Sequence, residues 1–288
     1  MAENTPKINP LMSIMRQPKV YITLPSRGRY YPEGSLDPTV NGEYPVYSMT
    51  AKDEIILKTP DALMNGQGLA DVIQSCMPNI KDAWTVPAID LDVILVAIRL
   101  ATYGNTMTLT INHETMDDSM DYEISLQEIL EQLQSNTTWE ERLEIRPDLV
   151  VFLKPIDYKT QTYTQISEFE TQRLMSVIRD DTLDEDTKLA QFKTSFEKMT
   201  SRAMDIIVKA VHRIESASGT VTDPEFLEEF MKQCDREVFD KIKKRIAELN
   251  EKNQLKPLRI ASTEEMLAKG APEFIQVPFS FDAANFFG

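Results

Sequence analysis

Histidine is scarce in this chain, with two among 288 residues, and one of them opens the stretch "HETMDD" from His113 to Asp118. A histidine followed by glutamate is how a helical zinc site of the H-E-x-x-H kind begins: two imidazoles four residues apart bind the metal and the glutamate acts as general base. Here the second ligand position falls on Met116 and Asp117, and the flanking pattern is strand, loop, strand instead of a helix that brings i and i+4 to one face. The acids Glu114, Asp117, Asp118 and Asp121 also miss the alternate positions around a central glycine that a calcium loop requires. The stretch therefore reads as an exposed acidic turn with no metal; a metal-dependent hydrolase centred on His113 is the remote alternative. The other histidine, His212 in "KAVHRIE", reads as a residue flanking a helical seam and not as a triad member. With nine glycines in all, "NGQG" and "SRGR" match neither a dinucleotide fingerprint nor a Walker loop. Cys76 and Cys234 sit in helix-like apolar patterns as small buried hydrophobes. No catalytic residue, cofactor or metal is expected.

Two other stretches carry residues suited to binding. In "LPSRGRYYPEGS", Arg27 and Arg29 flank Gly28 and Tyr30 follows; this is either an ordinary exposed turn or a contact loop in an assembly. The end, "EFIQVPFSFDAANFFG", carries Phe279, Phe281, Phe286 and Phe287 in a segment too short to fold alone, so it packs on its own domain or on a neighbouring chain. The arginines suit charge-assisted hydrogen bonds and the aromatic rings suit pockets on a partner. Composition narrows the partner: the formal charge of −15 repels phosphate backbones, so nucleic acid is not expected. The longest apolar stretch, "LDVILVAIRLATY", is broken by Arg99 and falls short of the roughly 20 residues that cross a bilayer. No secretory signal pattern is present at the N-terminus, so the chain is expected to stay in the cytoplasm in which it is made.

The elements that must position these residues suggest an α+β fold: a small mixed N-terminal domain of short strands and helices, then a long helical hairpin and a mainly helical C-terminal half. Residues 1–18 read as an extended arm, 19–157 as the mixed domain, 158–254 as the hairpin and 255–288 as the aromatic tail. Thr50 and Asp53 make a cap for a helix from about Ala51, and "TPDALMNGQGLADVIQSCM" reads as two short helices, the second with Leu69, Val72, Ile73 and Cys76 on one face. "AIDLDVILVAIRLATYG", apolar nearly all round and ending at Gly104, reads as the central helix. "NTMTLTI" alternates as a strand, "MDYEI" returns antiparallel, and Ser125 with Glu128 caps the next helix. Residues 113 to 145 hold ten acids against one base, Arg142, a solvated face or one that meets a basic partner. "RLEIRPDLVVFLKPI" supplies two more strands. Beyond Tyr158, Leu189, Phe192, Phe196, Met199, Ala203, Ile206 and Ala210, with Val211 or Ile214, repeat at helical spacing. After a capping box at Thr222 and Glu225, the seam resumes through Leu227, Met231, Cys234, Val238, Ile242 and Leu249. Two such arms are each roughly 40 Å long at about 1.5 Å per residue.

"LPSRGRYYPEGS", "YSMTAKDEIILKTPDALMNGQGLADVIQSCM" and "AIRLATYGNTMTLT" together resemble the T4-type bacteriophage baseplate protein family, a component of the tail's central hub and its assembly. The resemblance runs from Val20 to about Leu133, and "FSFDAANFF" resembles the family's ending. Relatives carry a Cys-rich knuckle after the "TYG" strand; this chain has "INHETMDDSMDYEISL" there with no cysteine, so the resemblance implies no zinc. It implies a structural protein of a contractile tail, in the virion baseplate, that docks on other hub, tube or tape-measure proteins or on further copies of itself. The alternative is an assembly chaperone absent from the mature particle, for which 14 methionines would give adaptable contact.

Overall fold

The computed structural model describes residues 16–59, 66–112, 119–135, 139–178, 204–253, 257–262, 264–268 and 272–277, together with Lys193, Arg202 and Phe286. The chain opens on an antiparallel ribbon of β1 (Pro18–Thr23) and β2 (Glu43–Tyr47), with Val20 opposite Val46 and Ile22 opposite Tyr44. Alternation sends Ile22 into the core and leaves Tyr21 exposed. Helix α1 (Ala51–Leu57) starts as its sequence signals. The Thr50 hydroxyl accepts from the Asp53 amide while the Asp53 carboxylate accepts from the Thr50 amide at 2.7 Å. The same carboxylate, buried, also accepts from Ser75 Oγ at 2.9 Å and faces Arg16 at 3.6 Å, which ties the chain just before β1 to the body. The first helix expected in "TPDALMNGQG" falls on residues outside the described ones. The second is α2 (Gln67–Cys76), which buries Leu69, Val72, Ile73 and Cys76 as its spacing requires.

Helix α3 (Ala88–Tyr103) is the centre of this half. Nine of its residues are buried, and it stops where Gly104 turns to φ 91°. Strands β3 (Thr106–Asn112) and β4 (Ser119–Ser125) pair antiparallel from Thr106–Ser125 to Asn112–Ser119, and α4 (Leu126–Ser135) follows at once. Ser125 Oγ accepts from the Glu128 amide as expected, and Asn105 Oδ1 accepts from the Gln127 amide at 2.8 Å, a second cap supplied from across the ribbon. One core unites Ile22, Val46, Ile73, Ile94, Ile98 and Ile129 from these elements. Each fully buried aliphatic side chain of this kind contributes about 1.5–3 kcal/mol.

A second core forms on a four-stranded antiparallel sheet of β5 (Arg142–Arg146), β6 (Leu149–Leu153), β7 (Val211–Ser216) and β8 (Gly219–Val221), in that order. Helix α5 (Tyr158–Ile178) leaves the sheet after β6. Helices α6 (Pro224–Gln233) and α7 (Arg236–Asn253) bury Leu227, Met231, Val238, Ile242, Ile246 and Leu249 against it. The last described strands, β9 (Leu258–Ala261) and β10 (Phe274–Val277), pair as an antiparallel ribbon with the short α8 (Glu264–Ala268) between them.

The sheet corrects part of the expected helical seam. Residues 204–210 are helical, but Val211 to Ser216 form β7, so His212 is on a strand and "SASG" turns a β-hairpin, not a pair of helical arms. The cause is a bulge: Leu153 pairs with Val211 and Phe152 with Arg213, so His212 is an extra residue. The bulge lets Val211 and Ile214 both face the core at a spacing of three, which imitates a helix. The seam positions from Leu189 to Met199 lie outside the described residues, as does Ala203. The cap after the hairpin is Asp223, not Thr222: its carboxylate accepts from the Glu225 and Phe226 amides at 2.9 and 3.4 Å. Pro224 occupies the first helical position, which fixes the cap on the residue before it.

Backbone bonds join the two cores. Ala88 N donates to Ile156 O and Tyr158 N to Val86 O, both at 2.8 Å, and Trp84 stacks on Tyr158 at 5.2 Å. The Tyr158 hydroxyl donates to Gly66 O at 2.9 Å. Gly66, at φ +78°, leaves no room for a side chain, since a Cβ there would lie 2.7 Å from Thr162 Cγ2.

Candidate interaction site: the Ser26 to Tyr31 loop

The loop begins where β1 leaves the core at Leu24, and Pro25 ends any continuation of strand pairing. It is a tight structure, with Arg27 N donating to Leu24 O at 2.8 Å and Arg29 N to Ser26 O at 3.1 Å. Three of its residues sit in the left-handed region: Arg27 at φ 55°, Gly28 at 73° and Tyr30 at 72°. Glycine takes this conformation without penalty, whereas arginine and tyrosine rarely do, so surrounding contacts must hold them there.

The residues on either side of this run are anchored by Asp90, in the first turn of α3. Its carboxylate is fully buried and accepts three hydrogen bonds from the loop: Ser26 N at 2.7 Å, Ser26 Oγ at 2.5 Å and the Tyr31 hydroxyl at 3.0 Å. Burial pushes the Asp90 carboxyl up from 3.8 to about 6, against the pull of those three donors. Tyr31 is raised as well, by burial and by the neighbouring carboxylate. The opening of the central helix is thus the peg on which the loop hangs.

The loop's outward groups divide in two. Arg29 is exposed and partly used internally, since its Nε donates to Ser26 O at 3.3 Å and its guanidinium lies 5.5 Å from the Tyr30 ring centre. Tyr30 is half-buried against the second core; its hydroxyl donates to Glu141 at 3.2 Å and its ring meets His212 edge-on at 6.2 Å. Burial and the Glu141 charge push its phenol up to about 12. Arg27 is exposed and has no ion-pair partner among the described residues. It lines an open cleft of about 380 Å³ together with Thr23, Pro25, Asn41, Tyr44 and Gln134.

Of the four phenylalanines near the C-terminus, Phe279, Phe281 and Phe287 lie outside the described residues. Phe286 is 2% exposed and packs in the first core, with the Arg99 guanidinium 5.2 Å from its ring centre. Of the two destinations considered for this segment, the chain's own core takes Phe286.

The chemical candidates divide in the same way. His113 and its acids through Asp118 are outside the described residues, and Asp121 accepts from Thr110 Oγ1 on the exposed side of the ribbon. His212 stands beside Lys154 and Arg213, and burial together with those cations lowers its pKa. Cys76 is buried, its thiol pushed up to about 12 by burial and by Asp53, which keeps it from acting as a nucleophile. Among the described residues, no group of three or more His, Cys, Asp or Glu is placed to hold a metal. No helix among them is long and apolar enough to cross a membrane.

What the geometry defines is a tight loop held from below by a buried carboxylate. Over residues 15–263 the sequence matches the family described as T4 bacteriophage base plate protein, and the chain belongs to that family. It is therefore a structural protein of the phage tail baseplate. The match runs well past Leu133, into the sheet and helices of the second core, and ends before the four phenylalanines. No curated protein and no solved structure matches the chain significantly.

Proposed function

We propose that the chain is a component of the central hub of a contractile tail baseplate and works by docking on hub, tube or tape-measure proteins during assembly, without a catalytic step. The reading rests on the Ser26 to Tyr31 loop, where two non-glycine residues lie at positive φ and a buried carboxylate anchors the residues at both ends, Ser26 and Tyr31. Strained backbone over-determined by its surroundings is characteristic of sites that present groups to something else. A plain connection between β1 and β2 needs neither. Arg27 and Arg29 supply charged donors and Tyr30 fixes the loop's far side to the second core, so the arginines meet a partner with little ordering left to lose.

The experiment is complementation of a phage lacking this protein with an Arg27→Asn/Arg29→Gln variant, followed by recovery of tails. A chain that stays folded yet enters tails several-fold less efficiently supports docking through the loop. Incorporation equal to that of the unaltered chain refutes it.

A further inference from the structure

We propose that the cleft beside Arg27 is a receiving site for a carboxylate side chain on an acidic segment of a different tail protein. The inference rests on the docking reading and specifies the chemistry of the partner.

Of the described residues that line the cleft, Arg27 is the sole charged one; the others are Thr23, Leu24, Pro25, Asn41, Gly42, Tyr44 and Gln134. No carboxylate is among them, in a chain whose acids outnumber its bases 46 to 31. The nearest acid in sequence, Glu43, is held by Asn41, whose Nδ2 donates to it at 2.8 Å. Gln134, from the end of α4, donates Nε2 to Thr23 O at 3.2 Å, which fixes one wall of the cleft. The Arg27 backbone is fixed by its bond to Leu24 O and, through Ser26, by buried Asp90.

The cleft therefore offers a cation whose backbone is already ordered and hydrogen-bonding neighbours, with no anion among the described residues that line it. A guanidinium in this setting selects a planar carboxylate, to which it donates two parallel hydrogen bonds. The overall charge of −15 acts at longer range and disfavours an extended acidic surface. The occupant is thus one or two carboxylates on a short segment and not a broad acidic face.

Backbone-amide NMR of the intact chain tests this with two peptides of equal length, acetyl-Gly-Glu-Gly-Glu-Gly-amide and acetyl-Gly-Gln-Gly-Gln-Gly-amide. The acidic peptide is expected to shift Leu24, Arg27, Gly42 and Tyr44 saturably, about tenfold or more tightly than the amide peptide. Arg27→Asn removes the charge while keeping a side chain tolerant of positive φ, and is expected to abolish the difference between the peptides. Equal response to both peptides overturns the proposal, and so does an unchanged preference in Arg27→Asn. Concentration-dependent self-association that vanishes in Arg27→Asn assigns the cleft to a second copy and overturns the choice of a different protein. The two readings fail separately. Loss of peptide binding with normal entry into tails refutes docking through the loop, whereas Arg27-dependent entry without peptide binding refutes the carboxylate site.

Discussion

If Asp90 is a buried carboxylate that holds the loop at a desolvation cost, its replacement by asparagine must change how stability depends on pH. The folded pKa of about 6 lies above the ordinary value of 3.8, so between these limits the folded chain binds more protons than the unfolded one. Stability from this group is complete below 3.8 and is lost as pH rises through 6. A shift of about two units at about 1.4 kcal/mol each gives about 3 kcal/mol in all, of which about 2 to 3 kcal/mol falls between pH 4 and pH 7. Asp90→Asn keeps an acceptor for Ser26 N, and its amide can donate to Ser26 Oγ or Tyr31, so the loop stays anchored while the titration disappears. Urea unfolding of both proteins at pH 4 and pH 7 isolates the effect, because other titrating groups cancel in the difference. The wild-type chain is expected to lose about 2 to 3 kcal/mol relative to Asp90→Asn on going from pH 4 to pH 7. Parallel pH dependences, or a relative gain by the wild type, would show that the three donors outweigh burial and would refute the reasoning.

Three further outcomes follow from the packing. Gly66→Ala forces a Cβ against Thr162 at φ +78°, and thermal or urea unfolding should show a loss of about 2–4 kcal/mol. Native-state alkylation read by mass spectrometry should modify half-buried Cys234 well before Cys76, which is fully buried with its thiol pushed up to about 12; equal rates would contradict that burial. Trp139→Phe removes the indole N–H that donates to Leu153 O at 2.9 Å and orphans a carbonyl at the end of β6, at a cost of about 1–2 kcal/mol in the same unfolding assays.

Legibility in the sequence followed the range of the interactions. Helix α1 with its Thr50–Asp53 cap, α3 ending at Gly104 and the β3–β4–α4 unit were readable because caps, glycines and alternation are local signals. Strand β7 was not, because a bulge opposite Phe152 and Leu153 placed Val211 and Ile214 at helical spacing, and only the partner strand reveals it. The Ser26 to Tyr31 loop stands out in the sequence by its arginines, whereas Asp90 does not. An acid in the first turn of a helix is usually accounted for by the helix dipole. The one sequence signal was its place among residues that are otherwise nearly all apolar. Its partners Ser26 and Tyr31 are about sixty residues away in sequence, so their meeting is a tertiary fact. The phenylalanine segment illustrates the converse limit, since composition required it to pack on something but did not choose the surface.

A structural part of the baseplate stays in the mature tail. Quantitative mass spectrometry of purified, mature virions tests it most directly. The protein is expected at a fixed stoichiometry relative to other baseplate proteins, retained after high-salt washing. Its absence from mature particles, combined with abundance in assembly intermediates, would contradict the account and identify a chaperone that leaves once the tail is built.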